Sequence, residues 1–156
     1  MKPTALFVLI VTIAGVGLVL AQPKDGLQVL ATTRPEVHWS RATAVQGDFD
    51  CDGQPDQAFL GRAGGRVYVG VVRSGHRKPE VLDFAVNPGV QAAICAEPAV
   101  LRIESLDYNP AEAVGGAIPG FRKSKTCKGL RLEGGECDSI HFFWNHNTKR
   151  LEWWRA

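Results

Sequence analysis

The sequence predicts an all-β domain of about eight short antiparallel strands, folded as a small sandwich or a barrel-like sheet. Short runs rich in Val, Ile, Leu, Phe, Tyr and Trp recur at close spacing through most of the chain, and clusters of Gly, Pro and Asn separate them. Only Val90–Ala96 reads as a short helix.

Taken in order, residues 1–21 have the pattern of a secretory signal. Lys2 supplies the positive start, Ala5 to Leu20 is an almost unbroken apolar run, and Val19-Leu20-Ala21 ends on a small residue. An uncleaved membrane anchor competes with this reading, but Gly15 and Gly17 weaken a long helix and Ala21-Gln22-Pro23 suits a processing site. No cysteine closes the run, so a lipid anchor on that residue is excluded. Residues 22–156 are then expected to form one domain, periplasmic or secreted, with no further apolar stretch of spanning length. The formal net charge of the 156-residue chain is only +2, which gives no footprint for nucleic acid.

The expected strands are Leu27–Ala31, Val37–Val45, Gln57–Leu60, Arg66–Val72, Glu80–Val86, Ala99–Leu106, Ser139–Trp144 and Leu151–Trp154. Turns are expected at 61–65, 74–79, 87–89 and 145–149, and Asn109–Thr126 reads as a long surface loop. Four cysteines, Cys51, Cys95, Cys127 and Cys137, follow the apolar leader, and an even count in an exported chain predicts two disulfides. Of three possible pairings, Cys51 with Cys95 and Cys127 with Cys137 is favoured, because the latter closes a short loop around Gly134-Gly135. No CxxC spacing supports zinc.

Gly47 to Leu60 reads GDFDCDGQPDQAFL. Carboxylates so close repel one another unless a cation sits among them. Numbered from Asp48 as one, Asp50 is three, Asp52 five, Gln54 seven and Asp56 nine, with Gly53 at six where the chain turns. Calcium takes six to eight hard oxygens, and carboxylates at one, three and five with a backbone carbonyl at seven supply them from one segment. Phe49 and Cys51 alternate with the ligands and would point to the core and to a disulfide. Position twelve is Phe59, where an EF-hand carries Glu, and the flanks read as strands.

These residues, with the strand pair Gln57–Leu60 and Gly64–Val71 that follows, resemble the FG-GAP or VCBS type of repeat. That resemblance implies a DxDxDGxxD calcium loop followed by a hairpin. The match occurs once, so the likeness extends to the hairpin and its ion and not to a propeller. A calcium held there is expected to order the loop and add folding stability.

Catalytic patterns are missing: no GxSxG, no HExxH and no phosphate-cradling glycine loop occurs. His141 and His146 read as ordinary packing or surface histidines, and the spacing of Glu97, Glu104, Glu133 and Glu136 does not suggest a glycosidase pair. The chain is therefore expected to bind and not to turn over. Gly64-Gly65-Arg66-Val67-Tyr68 is similar to the SGxxY element of bacterial periplasmic lysozyme inhibitors, with Gly64 in place of the serine. That resemblance implies an inhibitor, or immunity protein, of a lysozyme-like peptidoglycan hydrolase, with Gly65, Arg66 and Tyr68 meeting the partner. The alternative is a calcium-dependent carbohydrate- or cell-wall-binding module, since adjacent aromatics at Phe142-Phe143 and Trp153-Trp154 face opposite ways and would expose one Trp unless both sheet faces are covered. Arg122, Lys123, Lys125, Lys128 and Arg131 form a basic stretch able to steer an acidic partner.

Overall fold

The computed structural model describes residues 25–156; the proposed signal segment lies outside them. Among the described residues, nine strands form two sheets that share one core. The first sheet runs β1 (His38–Gly47), β2 (Asp56–Ala63), β3 (Arg66–Val72), β4 (Glu80–Val86) and β5 (Ala93–Ile94), in that spatial order. The second runs β6 (Val100–Leu106), β7 (Ser124–Glu133), β8 (Ile140–Asn145) and β9 (Arg150–Trp154). All neighbours pair antiparallel except β4 and β5. The result is a sandwich and not a closed barrel.

Period-two alternation explains the layering. Ala58 and Leu60 of β2, Val67, Val69 and Val71 of β3, and Phe84 of β4 point inward. They meet Leu101, Leu130, Leu132, Ile140, Phe142 and Leu151 of the second sheet in one buried cluster. The other faces are roofed as well. On β2 and β3 the outward positions include Gly61 and Gly70, and both glycines are obligatory spaces. A Cβ on Gly70 would lie 2.6 Å from Leu30 Cδ2, and one on Gly61 would lie 2.4 Å from Val37 Cγ1. Into that notch pack Trp39 and the short helix α1 (Gly26–Thr33), with Leu30 fully buried. The outer face of the second sheet is covered by the segment carrying Tyr108, Ile118 and Phe121, which packs with Leu106, Cys127, Phe143 and Trp154.

Several expected elements differ. Leu27–Ala31 is helical: Asp25 caps α1 by accepting the Leu27 N–H at 3.1 Å, and Gly26 and Leu30, one turn apart, supply its buried side. A short apolar run is ambiguous between strand and helix until its packing partner is known. Val90–Ala96 contains no helix. Pro88-Gly89 breaks the chain before it, and Ala93–Ile94 instead adds a two-residue parallel rung to β4. Asn109–Thr126 is not loop throughout, since Ala111–Val114 makes one helical turn (α2) and β7 begins at Ser124.

The disulfides correct the favoured pairing. Cys51 is bonded to Cys127 and Cys95 to Cys137, with Cα separations of 4.9 and 5.7 Å. Cys127 lies near the start of β7 and Cys137 beyond its end, so extended backbone of about 3.3 Å per residue carries them apart. A disulfide needs Cα atoms within about 7 Å, which that strand prevents. Two disulfides are compatible with an oxidising, extracytoplasmic compartment. Among the described residues, no helix is long and apolar enough to cross a membrane.

Candidate metal centre

The acidic loop connects β1 to β2, and its two ends are held differently. At its C-terminal end Asp56, the first residue of β2, is fully buried. One carboxylate oxygen accepts the N–H groups of Phe49 and Asp50 at 2.9 and 3.3 Å, and the other accepts that of Ser74 at 2.8 Å. Phe49, between Asp48 and Asp50, is buried in the main core and anchors the loop from below. At the other end, Asp48 accepts N–H bonds from Asp52 at 3.0 Å and Gly53 at 3.1 Å, while Asp52 accepts that of Gln54 at 2.7 Å. Gly53 makes the turn at φ 86°, a conformation open to glycine without penalty.

This folding brings Asp48, Asp50 and Asp56 together, with one carboxylate oxygen of each lying within 4.8 Å of the others. Asp50 and Asp52 also converge with His76, whose Nε2 lies 3.9 Å from the Asp50 carboxylate. Gln54 is exposed at the loop tip. Burial, reinforced by the Asp52 charge, pushes the Asp50 carboxyl above its usual range. Burial likewise raises Asp56, against the three N–H donors that favour its ionised form, and the Asp50 charge adds to the rise.

Among the described residues, one guanidinium answers this charge. Arg73 places Nη1 3.4 Å from the Asp50 carboxylate and Nη2 3.6 Å from Glu80, with its guanidinium 4.9 Å above the Trp144 ring. A single guanidinium shared with Glu80 leaves the four aspartates well short of neutral. The donor set is all oxygen, partly desolvated and convergent, which fits a hard divalent cation such as calcium. Asp48, Asp50 and Asp56 would hold it, with Asp52 at the mouth.

Arg73, Ser74 and His76 carry no motif of their own. The β2–β3 register, Gln57 opposite Val72, brings the residues after β3 beside Asp56. Counting that hairpin outward from Gly64-Gly65 would have found them.

The β2–β3 hairpin turns at Gly64 and Gly65, at φ 54° and 71°, with open space around both. Arg66 is half-exposed and paired with Asp83 on β4. Tyr68 is buried at 7% exposure, edge-on to Trp39 at 6.4 Å and beneath the Arg34 guanidinium at 5.4 Å. Gly65 and Arg66 therefore form the outward part of this element, and Tyr68 its support.

The C-terminal tryptophans are half-buried against neighbouring aromatic rings. Trp153 packs edge-on against Phe84 at 5.8 Å in the core, and Trp154 stacks on His141 at 4.3 Å and lies 6.3 Å from Tyr108. His141 is engaged through Nδ1 by Glu104 at 2.9 Å. Glu97 is paired with Arg62, and Glu133 with Arg102 and Arg131, so these acids have separate partners. In the basic stretch, Lys123 pairs with Asp107 at 3.3 Å. Comparisons with protein-family models, curated proteins and solved structures find no match.

Proposed function

We propose that this chain is an exported, calcium-stabilised β-sandwich that acts by binding, as an inhibitor or immunity protein directed at a lysozyme-like peptidoglycan hydrolase. The observation that carries the calcium part is the convergence of Asp48, Asp50 and Asp56, two of them buried, around too little positive charge. In this reading the ion is structural: when bound it neutralises the loop and fixes the start of β2, and therefore the hairpin that β2 forms with β3.

The inhibitor part draws on the hairpin tip. Gly64-Gly65 protrudes, and Arg66 beside it holds Asp83 in a half-exposed pair of the kind worth little by itself. Its guanidinium is free to exchange that carboxylate for one in a hydrolase cleft, where two catalytic acids stand. Tyr68 holds the strand beneath the tip in place.

The test is lysis of peptidoglycan by several lysozyme-type hydrolases with and without stoichiometric protein. Block is expected for at least one of them, and Arg66→Ala should weaken it about tenfold or more while leaving the fold intact. Equal lysis rates throughout would overturn the inhibitor reading. Retention on cell-wall glycan that disappears in Trp154→Ala would favour the carbohydrate-binding alternative instead.

A further inference from the structure

The Cys51–Cys127 bond ends inside the candidate metal centre. Cys51 stands between Asp50 and Asp52 with φ 63°, in the left-handed region where residues bearing a side chain seldom sit. Its partner Cys127 is buried at 2% exposure, beside Leu106 and Phe143. The next residue, Lys128, donates its N–H to the Asp48 carbonyl at 2.8 Å. The acidic half of the loop is thus fastened to β7 by one covalent bond and one hydrogen bond, both at residues within or next to the ligand set.

Repulsion among Asp48, Asp50, Asp52 and Asp56 favours a splayed loop, and the disulfide opposes it. A loop already convergent pays less ordering entropy when a cation arrives.

We propose that cation binding in the acidic loop and the redox state of Cys51–Cys127 are coupled: the oxidised bond raises calcium affinity, and bound calcium makes that one bond harder to reduce. This rests on the calcium reading above and adds the regulation of the same site. The coupling is reciprocal by thermodynamic necessity, so both effects have the same factor. The Cys95–Cys137 bond lies at the other end of β7 and serves as an internal reference.

The reaction balances with a dithiol as reductant. One of its thiolates attacks the half-buried Cys51 sulfur, and Cys127 leaves as a thiolate that takes a proton from water. The second thiol of the reagent then closes on the mixed disulfide and releases Cys51, so two electrons pass from the dithiol, which ends as a cyclic disulfide.

The experiment equilibrates the whole folded protein in dithiothreitol redox buffers with saturating calcium chloride or with EGTA, and reads each disulfide by alkylation and peptide mass mapping. Calorimetry then gives the calcium Kd of the oxidised protein and of protein reduced at Cys51–Cys127. A Kd ratio of about tenfold is expected, matched by a shift of about 30 mV in the Cys51–Cys127 midpoint towards resistance, with Cys95–Cys137 unmoved. The Cys95→Ser/Cys137→Ser variant should keep the coupling. Absence of calcium binding to the oxidised protein would overturn the cation reading itself. Equal Kd values in both redox states, with an unmoved midpoint, would overturn the coupling and leave the cation reading standing. Equal movement of both midpoints would overturn it too, because calcium would then be stabilising the whole fold and not this bond. If the reduced protein does not stay folded, the site-by-site midpoints alone decide.

Discussion

At the start of β7, Cys127 is bonded into a loop of four aspartates; roughly 20 Å further along, past the end of the same strand, Cys137 is bonded to Cys95 beside Gly134 and Gly135. Both ends join the two sheets by one crosslink, and both hold a loop against β7 by backbone hydrogen bonds: Lys128 to Asp48 at one, Cys95 and Ala96 to Gly134 at the other. What fills the remaining space differs. At the far end it is main chain, packed so closely that a Cβ on Gly134 would lie 2.7 Å from the Ala96 carbonyl oxygen. At the near end it is carboxylate, two of them buried. The same clamp therefore packs main chain against β7 at one corner and gathers carboxylates at the other, and only the second has a donor set that a hard cation would suit.

The two ends of β7 differ most at Asp56. Asp56→Ala removes the acceptor of three N–H groups in a buried site and is expected to cost about 3–5 kcal/mol in urea unfolding, together with all response to calcium. A stability loss below about 1 kcal/mol would show that the near end is not built around this carboxylate.

Smaller, and different in sign from ordinary acid denaturation, is the effect of pH. Asp50 and Asp56 are raised in the folded chain above their unfolded value of 3.8, so the folded state binds protons more readily. Their contribution to stability is present below that value and is lost as pH rises through the raised folded range. In metal-free buffer the protein should lose stability on account of this pair as pH rises above the unfolded value of 3.8 and through the raised folded range, and calcium, which competes with those protons, should restore it. At a hundredfold excess over its Kd the ion should add about 2.7 kcal/mol at pH 7 and little at pH 4. Urea titrations at both pH values, with and without calcium, measure this; a calcium effect equal at both would contradict it.

The smallest effect belongs to the far end. Gly134→Ala forces a methyl against the Ala96 carbonyl and the Ile94 side chain, at an expected cost of about 1–3 kcal/mol. Calcium affinity should stay within about twofold of the unmodified protein, by calorimetry. A larger change would mean the two ends communicate through β7.

Much of the sandwich was legible from residue order because its strands alternate. Arg66–Val72 and Glu80–Val86 emerge with their expected limits, since each is a β-branched or aromatic run bounded by Gly, Pro or Asn. β7 was hidden because SKTCKGLRLE spreads Lys125, Lys128 and Arg131 along both faces, and this basic composition masked the buried Leu130 and Leu132. α1 was hidden because its eight residues are too few for a helical period to outweigh their β-like composition. At the metal centre the spacing of the aspartates was visible, while Arg73, Ser74 and His76 were not, because their proximity arises from strand register. The disulfide pairing followed sequence distance in the expectation and sheet geometry in the molecule.

The paired roofs over this sandwich have a consequence for how it can meet another molecule. With α1 and Trp39 seated on the middle strands of one sheet, and the Tyr108–Phe121 segment on the other, neither pleated surface offers a broad flat contact. Under the proposed binding role, that leaves the rims, with their hairpin tips and turns, as the surfaces for a partner, where a change of a few residues would redirect recognition without disturbing the sandwich that carries them.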